Sequence, residues 1–319
     1  MIPMKKKKNP RIIGRFSGNE EGPLLIVFGG MHGNEPAGVQ AIDLISKMLE
    51  VEPITNPDFT YRGHFIGLIG NCKAFKKNKR FVKRDLNRLW TEENVALVMK
   101  TPHNQLKDEF LEIREVLDTI REEIARTNPT KLIVLDLHTT SSYGGIFTIP
   151  SDDEASLRIA LELNAPVIKG MLDGLQGTTL HYFNTENMGI ETIAVTFESG
   201  QHEEQLSVNR AIAAITNCMR SIGAVRAEDV ENRHDVILRD YSRNLPKVVK
   251  LLDHHGISKD DKFQMYNGYK NFQKVAKGEI IAKDKNGEIY ASFDSLILMP
   301  LYQKQGEDGF FLVEEVEGY

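Results

Sequence analysis

The sequence predicts an α/β sandwich followed by a smaller, mainly β unit. Three observations carry this reading. Apolar runs of strand length recur at 24–28 (LLIVF), 131–137 (KLIVLDL) and 192–198 (TIAVTFE). Helix-period stretches lie between them, the alternation expected of strand, helix, strand units. After about residue 230 that helical period gives way to short strand patterns.

In chain order, Leu24–Phe28 is a continuous apolar strand broken by Gly29 and Gly30, and a helical pattern starts near Pro36, a residue suited to the first turn of a helix. HFIGLI at 64–69 is a second strand, and an amphipathic helix runs from about Gln105 to Arg126. The strand at 131–137, a helix near 154–164 and the strand TIAVTFE continue the rhythm. A helix near 203–222 places Ile212, Ile215, Met219 and Ile222 on one face, which suits packing on a sheet. EIIAK and EIYAS then flank a turn containing Asn286-Gly287, a strong hairpin signal, and LILM at 296–299 and FFLVEE at 310–315 extend the β pattern. The boundary falls in the charged segment 227–245, dividing the chain into an α/β domain (1–232) and a C-terminal β-rich domain (233–319).

Composition narrows the function classes. The 319 residues are 41% hydrophobic and 27% charged, values of an ordered globular chain. A net charge of -5 argues against a nucleic-acid partner, and the KKKK run at 5–8 reads as a solvated arm without aromatic or motif context. RIIGRF behind it is too short and too charged for the apolar core of a signal peptide, and no later run approaches the length of a membrane span. A cytoplasmic protein is expected. Cys72 and Cys218 are too few for a disulfide framework and read as free thiols.

The chemistry gathers where apolar strands end. LLIVFGGMHGNE ends in His32 and Glu35, LIVLDLH in His138, and TIAVTFE in Glu198. Carboxyl ends of strands are where α/β sheets bind ligands. Taken singly, each residue is explained by a capped loop histidine, a satisfied strand-end histidine or a surface carboxylate; packing alone gives no reason for all four to stand at equivalent points. His32 and Glu35, three apart across a turn, can reach one ion that His138 meets from a neighbouring strand. Two imidazoles and a carboxylate, with a fourth position left for water, form a catalytic zinc set, whereas a structural site is more often closed by cysteines. One Zn2+ is therefore expected, lowering the pKa of its water from about 16 to about 7. Asp136, on the same side of the strand as His138, is placed to orient it.

A second cluster, RFVKRDLNR at 80–88, holds three arginines and Asn87 in nine residues. As a bland feature it is a basic surface; as a site it can grip a carboxylate and stabilise an oxyanion. The other histidines, His64, His103, His181, His202, His234, His254 and His255, have no comparable setting and are expected to be structural or on the surface.

GGMHGNEPAG, GNCKAFKKNKRFVKRDLNR, DLHTT and FESG, in this order, resemble the succinylglutamate desuccinylase/aspartoacylase family of zinc carboxypeptidase-like enzymes, over about residues 24–200. The resemblance implies a three-layer sandwich with a mixed central sheet plus a smaller C-terminal β domain. It implies zinc ligands at His32, Glu35 and His138, and Glu198 as general base and then acid. Arg80 would polarise the scissile carbonyl and stabilise its oxyanion. Asn87 and Arg88 would grip a substrate carboxylate, Asp85 would order the loop, and Tyr302 of PLYQKQGEDGFF would reach the substrate. One departure stands out: HYFNTENMGIETIAVTFE carries no arginine, where the family offers one for the second carboxylate of N-acetylaspartate. The expected activity is zinc-dependent hydrolysis of the amide bond of a small N-acyl amino acid. Neither nucleic acid nor membrane is an expected partner, and a homo-oligomer is left open. The rival readings are a carboxypeptidase-like peptidase acting on short peptides and a non-catalytic zinc-binding protein that keeps the fold.

Overall fold

The computed structural model describes residues 9–229 and 233–318, with side chains of 233–235, His234 among them, set aside. The lysine run at 5–8 lies outside the described residues. Fourteen strands are described: β1 (Ile12–Ser17), β2 (Glu20–Gly29), β3 (Arg62–Ile69), β4 (Leu132–Thr140), β5 (Phe147–Pro150), β6 (Val167–Lys169), β7 (Thr192–Gln201), β8 (Val248–Gly256), β9 (Gln264–Met265), β10 (Gln273–Val275), β11 (Ile280–Asp284), β12 (Gly287–Tyr290), β13 (Ser295–Leu298) and β14 (Asp308–Glu315). The helices are α1 (Pro36–Thr55), α2 (Cys72–Lys76), α3 (Glu92–Lys100), α4 (Asp108–Thr127), α5 (Glu154–Glu162), the short α6 (Thr179–Tyr182) and α7 (Thr185–Met188), α8 (Leu206–Ser221) and α9 (Arg233–Ser242).

Eleven strands form one mixed sheet in the order β1-β3-β2-β4-β7-β5-β6-β8-β14-β13-β10. Its centre, β3-β2-β4-β7, is parallel. Every residue of β4 and β7 is buried, which is why these strands read as near-continuous apolar runs rather than alternating ones. The pleat splits their side chains between two cores. Leu24, Ile26, Phe28 and Val134 pack with Val98, Ile113 and Val116 of α3 and α4. Leu25, Val27, Ile133 and Leu135 pack on the other face with Ile42 and Ile45 of α1 and with Ile212, Ile215 and Met219 of α8. This is the expected three-layer sandwich, and α8 buries the face that its sequence spacing indicates.

Past α9 the chain re-enters the same sheet. β8 lies parallel to β6, and β14, β13 and β10 add antiparallel neighbours. A separate three-stranded sheet, β12-β11-β9, packs over it through Met265, Ile281, Ile297, Phe310 and Leu312. The C-terminal region is thus mainly β, with part of it continuous with the central sheet.

The differences from expectation are local. β1, β5, β6 and β8 do not stand out in the sequence; β5 and β6 have four and three residues, too few to show a period. The helix expected from Gln105 starts at Asp108, because His103–Gln105 closes a separate 3-10 turn; Asp108 and Glu109 then supply the acidic first turn that the helix dipole favours. In the β11-β12 hairpin Asp284 pairs with Gly287, so the turn residues are Lys285-Asn286, one position earlier than the Asn-Gly signal suggests. Among the described residues, no helix is long and apolar enough to cross a membrane.

Candidate active site

The site forms where three parallel strands stop. Beyond β2 the chain turns through Gly30 at φ +64° and lays the His32–Glu35 loop against α2. Gly33 makes that approach possible, since a Cβ there would stand 2.1 Å from the carbonyl carbon of Ala74. Glu35 stands at the N-cap position of α1 with its side chain free of any capping bond, and Pro36 follows at a position that needs no N–H partner. On the adjacent strands, β4 and β7 pair His138 directly with Glu198, so parallel register alone brings these two side by side.

All four side chains are buried. Glu35 lies between the imidazoles, Oε1 at 2.8 Å from His32 Nδ1 and Oε2 at 3.1 Å from His138 Nδ1. The backbone N–H of Thr139 also donates to Glu35 Oε2, at 3.1 Å. Burial alone would raise the Glu35 carboxyl, but the two imidazoles outweigh it and hold the group well below the usual carboxylate range. The far nitrogens meet aspartates. His32 Nε2 is 3.1 Å from Asp85 Oδ1. His138 Nε2 is 3.0 Å from Asp136 Oδ2, a contact that misses the direction of a hydrogen bond, and Asp136 Oδ2 also accepts from the Thr179 hydroxyl at 2.6 Å. Burial would lower His138, yet Asp136 and then Glu35 push it well above its ordinary value. Glu198 behaves oppositely: burial dominates and raises its carboxyl to about 7.

These residues fit a dication. One donor atom each from His32, Glu35 and His138 lies within 4.8 Å of the others. Both imidazoles turn Nδ1 to the shared centre and Nε2 to a buried carboxylate, the arrangement that fixes a metal-ligating ring and raises its basicity. Glu198 Oε2 beside this group, and Asp136 Oδ1 behind His138, are buried without a hydrogen-bond partner.

The 80–88 segment faces this cluster. Arg80 donates Nε to Asp85 Oδ2 at 2.9 Å, its Nη2 lies at 2.9 Å from the same oxygen, and its Nη1 is 3.7 Å from Glu35. Asp85 also accepts from the Asn87 N–H at 2.9 Å. Burial would raise the Asp85 carboxyl; Arg80 and then His32 reverse this and hold it well below the usual range. Asn87 Oδ1 is taken by the Thr179 N–H at 2.9 Å, which leaves its NH2 to donate. Arg88 donates to the Asn87 carbonyl at 2.6 Å and to Asp308. Arg84, the arginine without an assigned role, is exposed. The whole loop hangs on Glu109 of α4, whose carboxylate accepts from the backbone N–H groups of Val82 (2.7 Å), Lys83 (3.2 Å) and Arg84 (3.3 Å).

His32, Glu35, Arg80, Asn87, Arg88, His138 and Glu198 line one cavity with about 50 Å³ of free space. Tyr302 does not join them. Its hydroxyl donates to the Tyr266 carbonyl at 2.9 Å and accepts from the Tyr269 N–H at 3.0 Å, tying it into the C-terminal region instead of the cavity. The neighbours of Tyr302 come closer: Leu301, Gln303 and Asp308 border the space next to Arg80. Two histidines expected to be unremarkable also serve the site. His202 binds the Thr139 hydroxyl at 2.7 Å and lies 3.3 Å from Gln303, which in turn accepts from Asn34 at 3.0 Å. His254 holds Asp308 at 2.8 Å. Asp308, Glu109 and Gln303 escaped the sequence reading because none sits in a strand-end motif.

The chain is similar to known proteins in sequence and fold. The Succinylglutamate desuccinylase/Aspartoacylase catalytic domain matches residues 21–222. A probable aspartoacylase of Nostoc is 28% identical over 131 residues, 41% of this chain and 40% of that protein. An N-acyl-aromatic-L-amino acid amidohydrolase (carboxylate-forming) of Xenopus tropicalis is 24% identical over 287 residues, 84% of this chain and 86% of that one. Among solved structures, a succinylglutamate desuccinylase/aspartoacylase from Rhodobacter sphaeroides superposes with a TM-score of 0.63 at 18% identity, covering 95% of this chain and 88% of that one. With its catalytic-domain match spanning most of the chain, this protein belongs to the succinylglutamate desuccinylase/aspartoacylase family.

Proposed function

We propose that the chain is a zinc-dependent amidohydrolase that splits the amide bond of a small N-acyl amino acid, with residues 1–232 as its catalytic unit and 233–319 as a unit that walls the site. The observation that carries this reading is Glu198: a buried carboxyl, raised to about 7, with an unpartnered oxygen beside a His2Glu group. A base poised near the working pH is what removal of a proton from water asks for. His32, Glu35 and His138 would hold the zinc, which when bound supplies Lewis-acid polarisation of water and of the scissile carbonyl.

The remaining work falls to the chain. Glu198 takes the proton of the attacking water. Arg80, held at two nitrogens by Asp85, keeps Nη1 for the oxyanion that develops on the carbonyl oxygen. Asn87 Nδ2 and Arg88 hold the substrate carboxylate. Glu198 then delivers its proton to the departing amine nitrogen, so the base of the first half is the acid of the second.

The coverage of the cavity favours small substrates over peptides. Met299 and Phe311, from the C-terminal region, stand in its wall, where a peptidase would need an open groove. The test is a panel of N-acyl amino acids and short peptides run on protein of measured zinc content. Glu198→Gln should lower kcat by about 100- to 10,000-fold while zinc stays bound. Full activity in that variant would remove Glu198 from the mechanism, and turnover of peptides alone would favour the peptidase.

A further inference from the structure

Both arginines that face the cavity already own a carboxylate. Arg80 has Asp85. Arg88 has Asp308, at the start of β14, whose side chain is only 12% exposed. Asp308 is fixed from its other side as well, by His254 Nε2 at 2.8 Å from Oδ1, and the His254 ring stacks on Phe311 at 4.5 Å and 9°. Burial would raise the Asp308 carboxyl, but His254 and Arg88 hold it below the usual range, so it stays ionised. Arg80 and Arg88 are the only Arg or Lys side chains lining the cavity among the described residues, and the wall beyond them is formed by Ile149, Met171, Leu172, Leu175, Leu180 and Phe311.

Charge counting then constrains the ligand. A substrate carboxylate arriving at Arg88 meets a guanidinium already neutralised by Asp308. It can still be held by the free N–H groups of Arg88 and by Asn87 Nδ2. A second carboxylate finds an apolar wall and no Arg or Lys that lacks a carboxylate partner. In a buried setting a carboxylate left without a counter-charge is strongly unfavourable.

We propose that Asp308 is a specificity-determining residue: by neutralising Arg88 it restricts the enzyme to N-acyl amino acids with a single carboxylate and an uncharged, apolar remainder, and rejects dicarboxylates. This rests on the amidohydrolase reading. Discrimination here comes from a cation withheld from the ligand rather than from an added contact.

The experiment compares kcat and KM for N-acetyl-leucine and N-acetylaspartate in the zinc-loaded wild type, Asp308→Asn and Asp308→Glu. The wild type should favour N-acetyl-leucine by about 100-fold or more in kcat/KM. Asp308→Asn should narrow that ratio by roughly 10-fold, mainly through a lower KM for N-acetylaspartate, and Asp308→Glu should keep it. A wild type that prefers the dicarboxylate overturns the proposal without any variant, as does an Asp308→Asn protein whose ratio is unchanged. Absence of turnover on every N-acyl amino acid would instead overturn the amidohydrolase reading on which it stands.

Discussion

The two halves of the central sheet contribute to the site in opposite ways. In the parallel half, β2, β4 and β7 point the same way, and their ends place His32, Glu35, His138 and Glu198 around one centre. In the antiparallel C-terminal part, successive strands run in opposite directions, so no shared strand end exists. That part supplies instead a wall (Met299, Phe311), a countercharge (Asp308) and a bridge (Gln303). Parallel topology gathers the titratable groups, while the antiparallel addition lines the space around them.

If this division holds, changes in the α/β half should strike rate and changes in the C-terminal part should strike selectivity. Arg80→Ala is the sharpest test after Glu198. Its expected loss is about 100- to 1,000-fold in kcat, the range for one oxyanion donor, with zinc content unchanged. Removing the guanidinium also leaves Asp85 buried with one partner fewer, so a milder Arg80→Lys should be measured beside it. A loss confined to KM would move Arg80 from the oxyanion to substrate gripping.

The same topology sets a pH dependence. Burial raises Glu198 to about 7, and below that value the carboxyl holds its proton and cannot serve as base. kcat/KM should therefore fall as pH drops through an acidic limb. A dication beside the carboxylate favours its ionised form, so in zinc-loaded protein the limb lies below 7. A flat profile between pH 5 and 8 would contradict this role, as would a limb that survives in Glu198→Gln.

The halves also differ in how much of them the sequence discloses. His138 and Glu198 are legible because each closes a buried, unbroken apolar run, and β4 and β7 are unbroken because both their faces are covered. His32 and Glu35 are legible from their spacing on one short loop. Asp308 is not, since it meets Arg88 across 220 positions and sits among glycines and charges typical of any loop. Tyr302 illustrates the converse. An aromatic in the right stretch of sequence points to the substrate only by analogy, and tertiary contacts 36 and 33 positions away hold its hydroxyl on Tyr266 and Tyr269.

Glu109 tests whether the arginine loop is positioned from a distance. Its buried carboxylate collects three consecutive backbone N–H groups and receives Asn71 Nδ2 at 3.4 Å. Glu109→Gln puts an NH2 where a carboxylate oxygen accepts these donors. The expected cost is about 1–3 kcal/mol of stability, read from denaturant unfolding. A roughly 10-fold fall in kcat/KM should accompany it as Arg80 and Arg88 lose their fixed placement. Zinc content should fall less than kcat/KM, because Glu35 and His138 lie on other elements and the loop reaches the ligand imidazoles through the Asp85 contact with His32. A stability loss with unaltered kinetics would make Glu109 structural only.

The smallest expected effect is Tyr302→Phe, and it cuts the comparison most finely. The hydroxyl bridges the Tyr266 carbonyl and the Tyr269 N–H at the partly exposed rim of the C-terminal region, so its loss removes two hydrogen bonds that water can replace. Stability should fall by about 0.5–1.5 kcal/mol or less, and kcat and KM should each stay within about twofold of wild type. A phenol that reached the substrate would show as a rise in KM well beyond that. Such a result would mean that the 299–308 segment moves far enough during binding to break both bonds, and it would turn the C-terminal wall from a fixed boundary into a part that closes on the substrate.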